Sequence, residues 1–254
     1  MEIIGSLRLW DYGNFLGTIE EARKCGITIF RLNLKTLSSD DEYIALKNHL
    51  KAAIDRYGNC ISFLLDIAYP HDNPRLVIKN EESNLMMQPG ERYPLRFFFE
   101  STEFKGDIIY IQANYLNQIN DSTKLIYNDG EQVLCIRNEN NDLYLSCRNA
   151  IRIWSGKPVH FETPLYTSIS PSKIQLTKEL IKLCGTSLFG ISLSYLQDTD
   201  QLKKASQLFG LQTFICKIED HIGVGNIDSI CSDGKCGMIF VGRGDLLFSY
   251  PGLH

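Results

Sequence analysis

The strongest constraint on this chain is an alternation of short apolar runs with helical patterns, present at both ends of the sequence and absent from its middle. Ile3 to Leu9 reads as a strand, and Ile19 to Lys24 as a helix that Gly26 stops. Ile27 to Asn33, rich in β-branched and aromatic residues, is the next strand. Ser39-Asp40-Asp41-Glu42 fits a capping box, with Tyr43, Leu46, Leu50, Ala53 and Ile54 at helical spacing behind it. Ile61 to Leu65 is a buried strand ending on Asp66. Near the C-terminus, Ser170-Pro171 opens a helix that runs to Cys184, and Leu188 to Leu193 follows as a strand. Thr199 to Phe209 is a helix closed by Gly210, Thr213 to Ile218 a strand, Ile227 to Cys231 a short helical segment and Met238 to Val241 the last strand. Strand-helix-strand order with apolar strands predicts a mostly parallel sheet covered on both faces.

Between Pro74 and Phe161 the pattern changes to short alternating segments: Arg75 to Lys79, Tyr93 to Phe99, Ile108 to Ile111, Glu131 to Arg137 and Leu143 to Arg148. Pro-Gly, Asn-Asp-Gly and Asn-rich turns separate them, and no long amphipathic helix fits. The chain is therefore expected to be α/β, with residues 1–74 and 161–254 forming an incomplete TIM-type (β/α) barrel and residues 75–160 an inserted small all-β, lid-like domain.

Composition removes several classes of function. The 26 Lys and Arg against 30 Asp and Glu give a net charge of −4, so no basic field favours nucleic acid. No apolar run approaches the roughly 20 residues that a membrane helix needs, and no signal-peptide pattern opens the chain. A cytoplasmic location without membrane partners is expected. The 8 cysteines are dispersed, and most read as reduced core residues. Cys231 and Cys236 form a lone C-x4-C pair with only His221 nearby, short of the four ligands of a structural zinc site.

The polar residues with chemical potential fall at strand ends. Alternation along a strand puts Arg31 with Asn33, Lys217 with Glu219, and Arg243 with Asp245 on shared faces. Asp66 ends its own apolar run, and Ser192 and Ser194 close the strand after Gly190. In parallel β/α barrels, the C-terminal strand ends converge on one mouth. Glu219 and Asp245 are hard oxygen ligands suited to Mg²⁺ or Mn²⁺, while Lys217 and Arg31 supply positive charge for a carboxylate, a phosphate or a developing enolate.

Lys217-Ile218-Glu219-Asp220-His221-Ile222-Gly223-Val224, followed by Gly242-Arg243-Gly244-Asp245-Leu246, resembles the K-I-E-N-x-E-G and A-R-G-D-L blocks of the pyruvate kinase family in both content and spacing. Arg31-Leu32-Asn33 resembles that family's R-L-N-F-S-H segment, and Leu65-Asp66 with Pro70 resembles L-D-T-K-G-P-E-I-R. Asn128-Asp129-Gly130 resembles the D-D-G of its β lid. The resemblance implies that Lys217 stabilises an enolate and a transferring phosphoryl group, that Glu219 and Asp245 hold the divalent metal, and that Arg31 contacts the phosphate. Substrate contacts are expected at Arg31, Asn33, Ser192, Gly244 and Asp245, and the small-molecule partner is phosphoenolpyruvate, pyruvate or a related 2-oxo acid.

The departures from the family are informative. Its potassium site uses N-F-S and L-D-T, where this chain has Asn33, Lys35, Asp66 and Ile67. The Lys35 ammonium beside Asp66 is expected to replace the potassium charge, so that K⁺ is not required. Ala68 to Asn73 lacks the family's lysine, glutamate and arginine; Arg75 stands two residues away from compensating, and His71 is an alternative acid or base. Only 9 residues follow Asp245, so six barrel strands are expected rather than eight, with the family's proton-delivering threonine and C-terminal domain unmatched. An open barrel edge predicts a homodimer or a partner chain across it. Two alternatives stand beside a pyruvate-kinase-like transferase. One is a carbon-carbon bond enzyme, aldolase or decarboxylase, that uses the same enolate site, and the other is a non-catalytic metabolite-binding or partner-protein subunit.

Overall fold

The structure is a computed structural model, and it describes residues 3–7, 12–37, 40–70, 74–78, 84–98, 109–112, 123–127, 132–139, 142–157, 159–161, 169 and 171–249. Ser39, His71, Asn128 to Gly130 and Ser170, singled out above, lie outside the described residues. The chain divides into two compact units. The first comprises residues 1–70, 169–218 and 222–241, and the second residues 71–168, 219–221 and 242–254.

The first unit opens with β1 (Ile4–Leu7), α1 (Phe15–Lys24), β2 (Ile29–Asn33), α2 (Asp40–Tyr57) and β3 (Ser62–Pro70). Among its described residues the second unit holds nine strands: β4 (Leu76–Ile78), β5 (Asn84–Met87), β6 (Tyr93–Phe98), β7 (Ile109–Gln112), β8 (Lys124–Tyr127), β9 (Gln132–Glu139), β10 (Asp142–Cys147), β11 (Ile151–Trp154) and β12 (Val159–Phe161). The chain then returns through α3 (Pro171–Cys184), β13 (Leu188–Ser194), α4 (Thr199–Phe209), β14 (Phe214–Ile218), α5 (His221–Gly225), α6 (Ile227–Ser232), β15 (Cys236–Val241) and α7 (Arg243–Phe248). The fold is an incomplete β/α barrel with a small β domain.

In the first unit, six strands form one parallel sheet in the order β1-β2-β3-β13-β14-β15. Helix ends are set by local chemistry. At α4 the Asp198 carboxylate accepts from Gln201 N at 2.9 Å and the Gln201 side chain reaches back, while Gly210 at φ 70° closes the last turn. The helices share a core with one face of the sheet only: Phe30 and Leu32 of β2, Phe63 and Leu65 of β3, Ile191 and Leu193 of β13, and Phe214, Cys216 and Ile218 of β14. The sheet is barrel-like, and its second face is buried as well, as expected: Ile29, Leu64 and Ile215 lie on it beside Asp66, Ser192 and Lys217.

Three register shifts interrupt the pairing of the described strands, one of them between Leu193 and Ser194, and the other two keep the faces in phase. Leu188 pairs with Phe63 and Gly190 with Leu64, so one extra residue on β13 sends Ile191 and Leu193 to the core. Phe214 pairs with Cys236 but Ile215 with Met238, which leaves Gly237 as the extra residue. Beyond the bulge Ile239 packs on the core, and Phe240 comes opposite Lys217. As an edge strand, β15 leaves Met238, Phe240 and Val241 exposed.

The second unit is built from a seven-stranded sheet, β12-β8-β9-β10-β6-β7-β4, and a β11-β5 pair. All pairings are antiparallel except β6 with β7. Its separate core is built from Leu76, Leu95, Ile111, Leu125, Leu134, Ile136, Leu145, Ile153 and Val159. Tyr127, buried with them, accepts from the Trp154 N–H at 2.7 Å, which satisfies its hydroxyl. Cysteine placement differs from expectation: Cys147, Cys184 and Cys216 are buried, whereas Cys25, Cys60 and Cys231 are exposed, and all eight are free. Among the described residues no helix is long and apolar enough to cross a membrane.

Candidate active site

Alternation on the six-stranded sheet sends Ser6, Arg31, Asp66, Ser192, Lys217 and Phe240 to the inner face, because cross-strand register keeps partners on one side. The strands thus bring together four residues picked out in the sequence: Arg31, Asp66, Ser192 and Lys217.

Asp66 is the hub. It is fully buried, and its Oδ2 accepts from Arg31 Nε at 2.9 Å, from Arg31 Nη2, and from Lys217 Nζ at 3.5 Å. Burial alone pushes the Asp66 carboxyl up, but the charges of Lys217, Lys35 and Arg31, with the Arg31 hydrogen bonds, more than reverse this and hold it at about 2. Asp66 is therefore an ion at neutral pH, and its own basicity is too low for proton abstraction. Three cations, Lys217, Lys35 and Arg31, act on this one carboxylate.

The flanking groups fix the cations. Arg31 Nη1 donates to Ser6 Oγ at 3.4 Å. Lys217 Nζ lies 5.7 Å from the centroid of the Phe240 ring, within cation–π range. Lys35 sits in a single 3-10 turn, Leu34–Thr36, because β2 ends at Asn33; strand alternation does not carry its side chain to the inner face. Its Nζ nevertheless stands 6.0 Å over the Tyr195 ring and its charge reaches Asp66. Tyr195 has φ 50°, an uncommon conformation for a non-glycine residue, immediately after Ser194 ends β13. Asn33 uses its Oδ1 locally, accepting from Lys35 N at 3.3 Å as the cap of that turn. Ser194 Oγ donates to the Ile67 carbonyl at 2.8 Å.

The carboxylate pair belongs to the second unit. Glu219, just past the end of β14, is buried, and its side chain lies against Gly242: a Cβ there would come 2.7 Å from Glu219 Cγ and 2.9 Å from Oε1. Gly242 is the residue that leaves room for this carboxylate. Arg243, Gly244 and Asp245 do not continue a strand. They form the first turn of α7, so Arg243 and Asp245, two apart on a helix, do not share a face. Gly244 is exposed. Asp245 is partly exposed, with Oδ1 3.7 Å from Nε2 of the nearly buried His160 on β12. His160 is a neighbour of Asp245 that the sequence does not mark, since nothing in a three-residue strand singles out its histidine.

Among the described residues no cluster of three or more His, Cys, Asp or Glu side chains is poised for a metal. Two carboxylates, one of them buried against a glycine, are what Mg²⁺ or Mn²⁺ takes when substrate oxygens and water complete its octahedron, and they are too few for a closed structural zinc site. Hard carboxylate oxygens are the donor type that Mg²⁺ or Mn²⁺ takes. Arg75 donates to the Gly156 carbonyl at 3.0 Å within the β domain.

No protein-family model and no curated protein matches the sequence. By structure, the chain is similar to pyruvate kinase of Cryptosporidium parvum, with a TM-score of 0.74 at 18% identity, covering 98% of this chain and 53% of that one. A structure titled as the Cryptosporidium parvum enzyme in complex with ADP gives a TM-score of 0.73 at 19% identity, over 98% of this chain and 51% of that one. The chain spans about half the length of these structures. The similarity establishes a pyruvate-kinase-like fold.

Proposed function

We propose that this chain is a divalent-metal-dependent, pyruvate-kinase-like protein that binds phosphoenolpyruvate, pyruvate or a related 2-oxo acid. The observation that carries this reading is the Asp66 cluster on the inner face of the sheet, in which a buried, ionised carboxylate holds the Arg31 guanidinium and the Lys217 ammonium in place. Such a cluster attracts an anion, and in a water-poor site its hydrogen-bond donors stabilise negative charge far better than water-exposed ones do.

Lys217 is the electrophile. Asp66 holds its ammonium from one side and Phe240 flanks it, so it is oriented before ligand arrives and can neutralise an enolate oxygen or a transferring phosphoryl group. Arg31, anchored by Asp66 and Ser6, binds the phosphate or carboxylate. Glu219 and Asp245 would hold the metal, with Gly244 giving backbone access for the substrate carboxylate, and Mg²⁺ or Mn²⁺ bound there would supply Lewis-acid polarisation of the 2-oxo group. Lys35 takes the place of a monovalent cation, since its charge already acts on Asp66 and a potassium ion there would meet three like charges.

The test is a calorimetric titration of Mn²⁺ with and without phosphoenolpyruvate or pyruvate, with Glu219→Gln as control. Metal binding that tightens with ligand and disappears in the variant supports the reading; no ligand effect on metal affinity removes it. One of the similar structures contains ADP. Turnover that depends on added ADP identifies phosphoryl transfer, and turnover without it identifies enolate chemistry at carbon.

A further inference from the structure

Among the described residues, two buried polar atoms of the inner face have no hydrogen-bond partner, and they stand on adjacent strands. Asp66 Oδ1 and Ser192 Oγ both lack one, although Asp66 is 0% and Ser192 2% exposed. Asp66 and Ser192 are register partners on β3 and β13, so both side chains leave the sheet on the same side from adjacent strands about 4.8 Å apart. An orphaned buried carboxylate oxygen is costly, and an orphaned hydroxyl beside it adds to that cost. The groups present on this face are already committed: Arg31 and Lys217 converge on Oδ2, and Ser194 spends its hydroxyl on the Ile67 carbonyl.

The geometry points to a subsite for a hydroxyl-sized group of the ligand, which donates to Asp66 Oδ1 and is met by Ser192 Oγ. This rests on the 2-oxo acid reading above and narrows it to 2-oxo acids that carry a hydroxyl. The demand is asymmetric. An ionised carboxylate can only accept, so the group that fits must bring a proton, which phosphoenolpyruvate with its phosphate fully ionised and pyruvate with its methyl group do not. A monovalent cation is disfavoured at the same oxygen by Lys217, Lys35 and Arg31. A hydroxyl is neutral, donates to Oδ1 and retains lone pairs for the serine. Because Asp66 stays ionised, its part is to hold the hydroxyl in place, not to remove its proton. A site built to hydrogen-bond a substrate hydroxyl discriminates strongly against the analogue lacking it, because its own buried groups are then left unpaired.

The test measures binding of 3-hydroxypyruvate, 2-oxobutanoate and pyruvate to the full chain with saturating Mn²⁺, for the parent protein and Ser192→Ala. 2-Oxobutanoate matches hydroxypyruvate in shape with a methyl in place of the hydroxyl, and serine to alanine is a small change whose folding is checked by circular dichroism. Hydroxypyruvate is expected to bind at least roughly tenfold tighter than 2-oxobutanoate, with the ratio falling several-fold in Ser192→Ala. Equal binding of the three acids, the outcome if an ordered water fills the gap, overturns the subsite and leaves the 2-oxo acid reading standing. A preference that Ser192→Ala leaves intact also overturns it, since the hydroxyl is then read elsewhere. Failure of all three acids to bind overturns the 2-oxo acid reading itself, and the subsite with it.

Discussion

Leu65 and Asp66 are consecutive on β3 and both fully buried, yet they answer to different physics. Leu65 faces the helices among Leu32, Ile191 and Leu193, where burial of an aliphatic side chain is worth about 2 kcal/mol and any residue of similar volume serves. Asp66 faces inward, where a charge leaves water at a cost of several kcal/mol that cations must offset. A hydrophobic inner face would pack at no such cost. The polar inner face is therefore the part of the sheet whose composition stability does not explain, and the bulges on β13 and β15 preserve the separation of the faces along the later strands.

If the faces differ in this way, substitutions on them should differ in kind. Asp66→Ala removes the counterion of Arg31 and of the buried Lys217, and should cost about 4 kcal/mol in urea unfolding while also abolishing phosphoenolpyruvate binding. Leu65→Ala should cost about 3 kcal/mol by the same measurement, with ligand affinity of the folded fraction unchanged. Loss of binding in both, or in neither, would erase the distinction.

Acid should act on one face only. The Asp66 carboxyl is held at about 2 against an ordinary 3.8, so its folded-state value is depressed. A depressed acid contributes stability above its unfolded value that disappears as pH falls through the folded value; here the contribution is about 2 kcal/mol, present above pH 4 and lost toward pH 2. Unfolding curves between pH 5 and 2 should show this component in the parent protein and not in Asp66→Asn.

Two smaller effects probe Glu219 and Lys35. Gly242→Ala places a Cβ against Glu219 and should weaken Mn²⁺ binding roughly tenfold, with the unfolding midpoint of the six-stranded sheet little changed. Exchange of sodium for potassium should alter ligand affinity of the parent protein less than about twofold, whereas Lys35→Ser should make affinity rise with potassium. Potassium stimulation of the parent protein would contradict the role given to Lys35.

The helix-packed face was the more legible in the sequence. Apolar runs bounded by glycine located all six strands of the parallel sheet, and period-2 alternation was enough to place Arg31, Asp66, Ser192 and Lys217 correctly. Alternation misled where the element was not a strand: Arg243 to Asp245 begin α7, a helix of 6 residues with a glycine inside it, and α5 is shorter still. Segments of that length carry too few residues for a period to show. In the β domain, β5, β8, β11 and β12 have 3 or 4 residues each and were not separated from their turns. Lys35 gave the right electrostatics from the wrong geometry, since its charge reaches Asp66 from a 3-10 turn. His160 and the unpartnered oxygens of Asp66 and Ser192 were invisible because they depend on tertiary placement, which no local pattern encodes.

The most direct test of the inner-face cluster is the affinity for phosphoenolpyruvate, with saturating Mn²⁺, of the parent protein and of Lys217→Met. Methionine retains the apolar stem beside Phe240 and leaves Asp66 paired with Arg31, so the fold should persist while the charge is lost. Weakening of at least about thirtyfold, about 2 kcal/mol, is the predicted result. Equal affinity in the two proteins would contradict the claim that this cluster is the anion site.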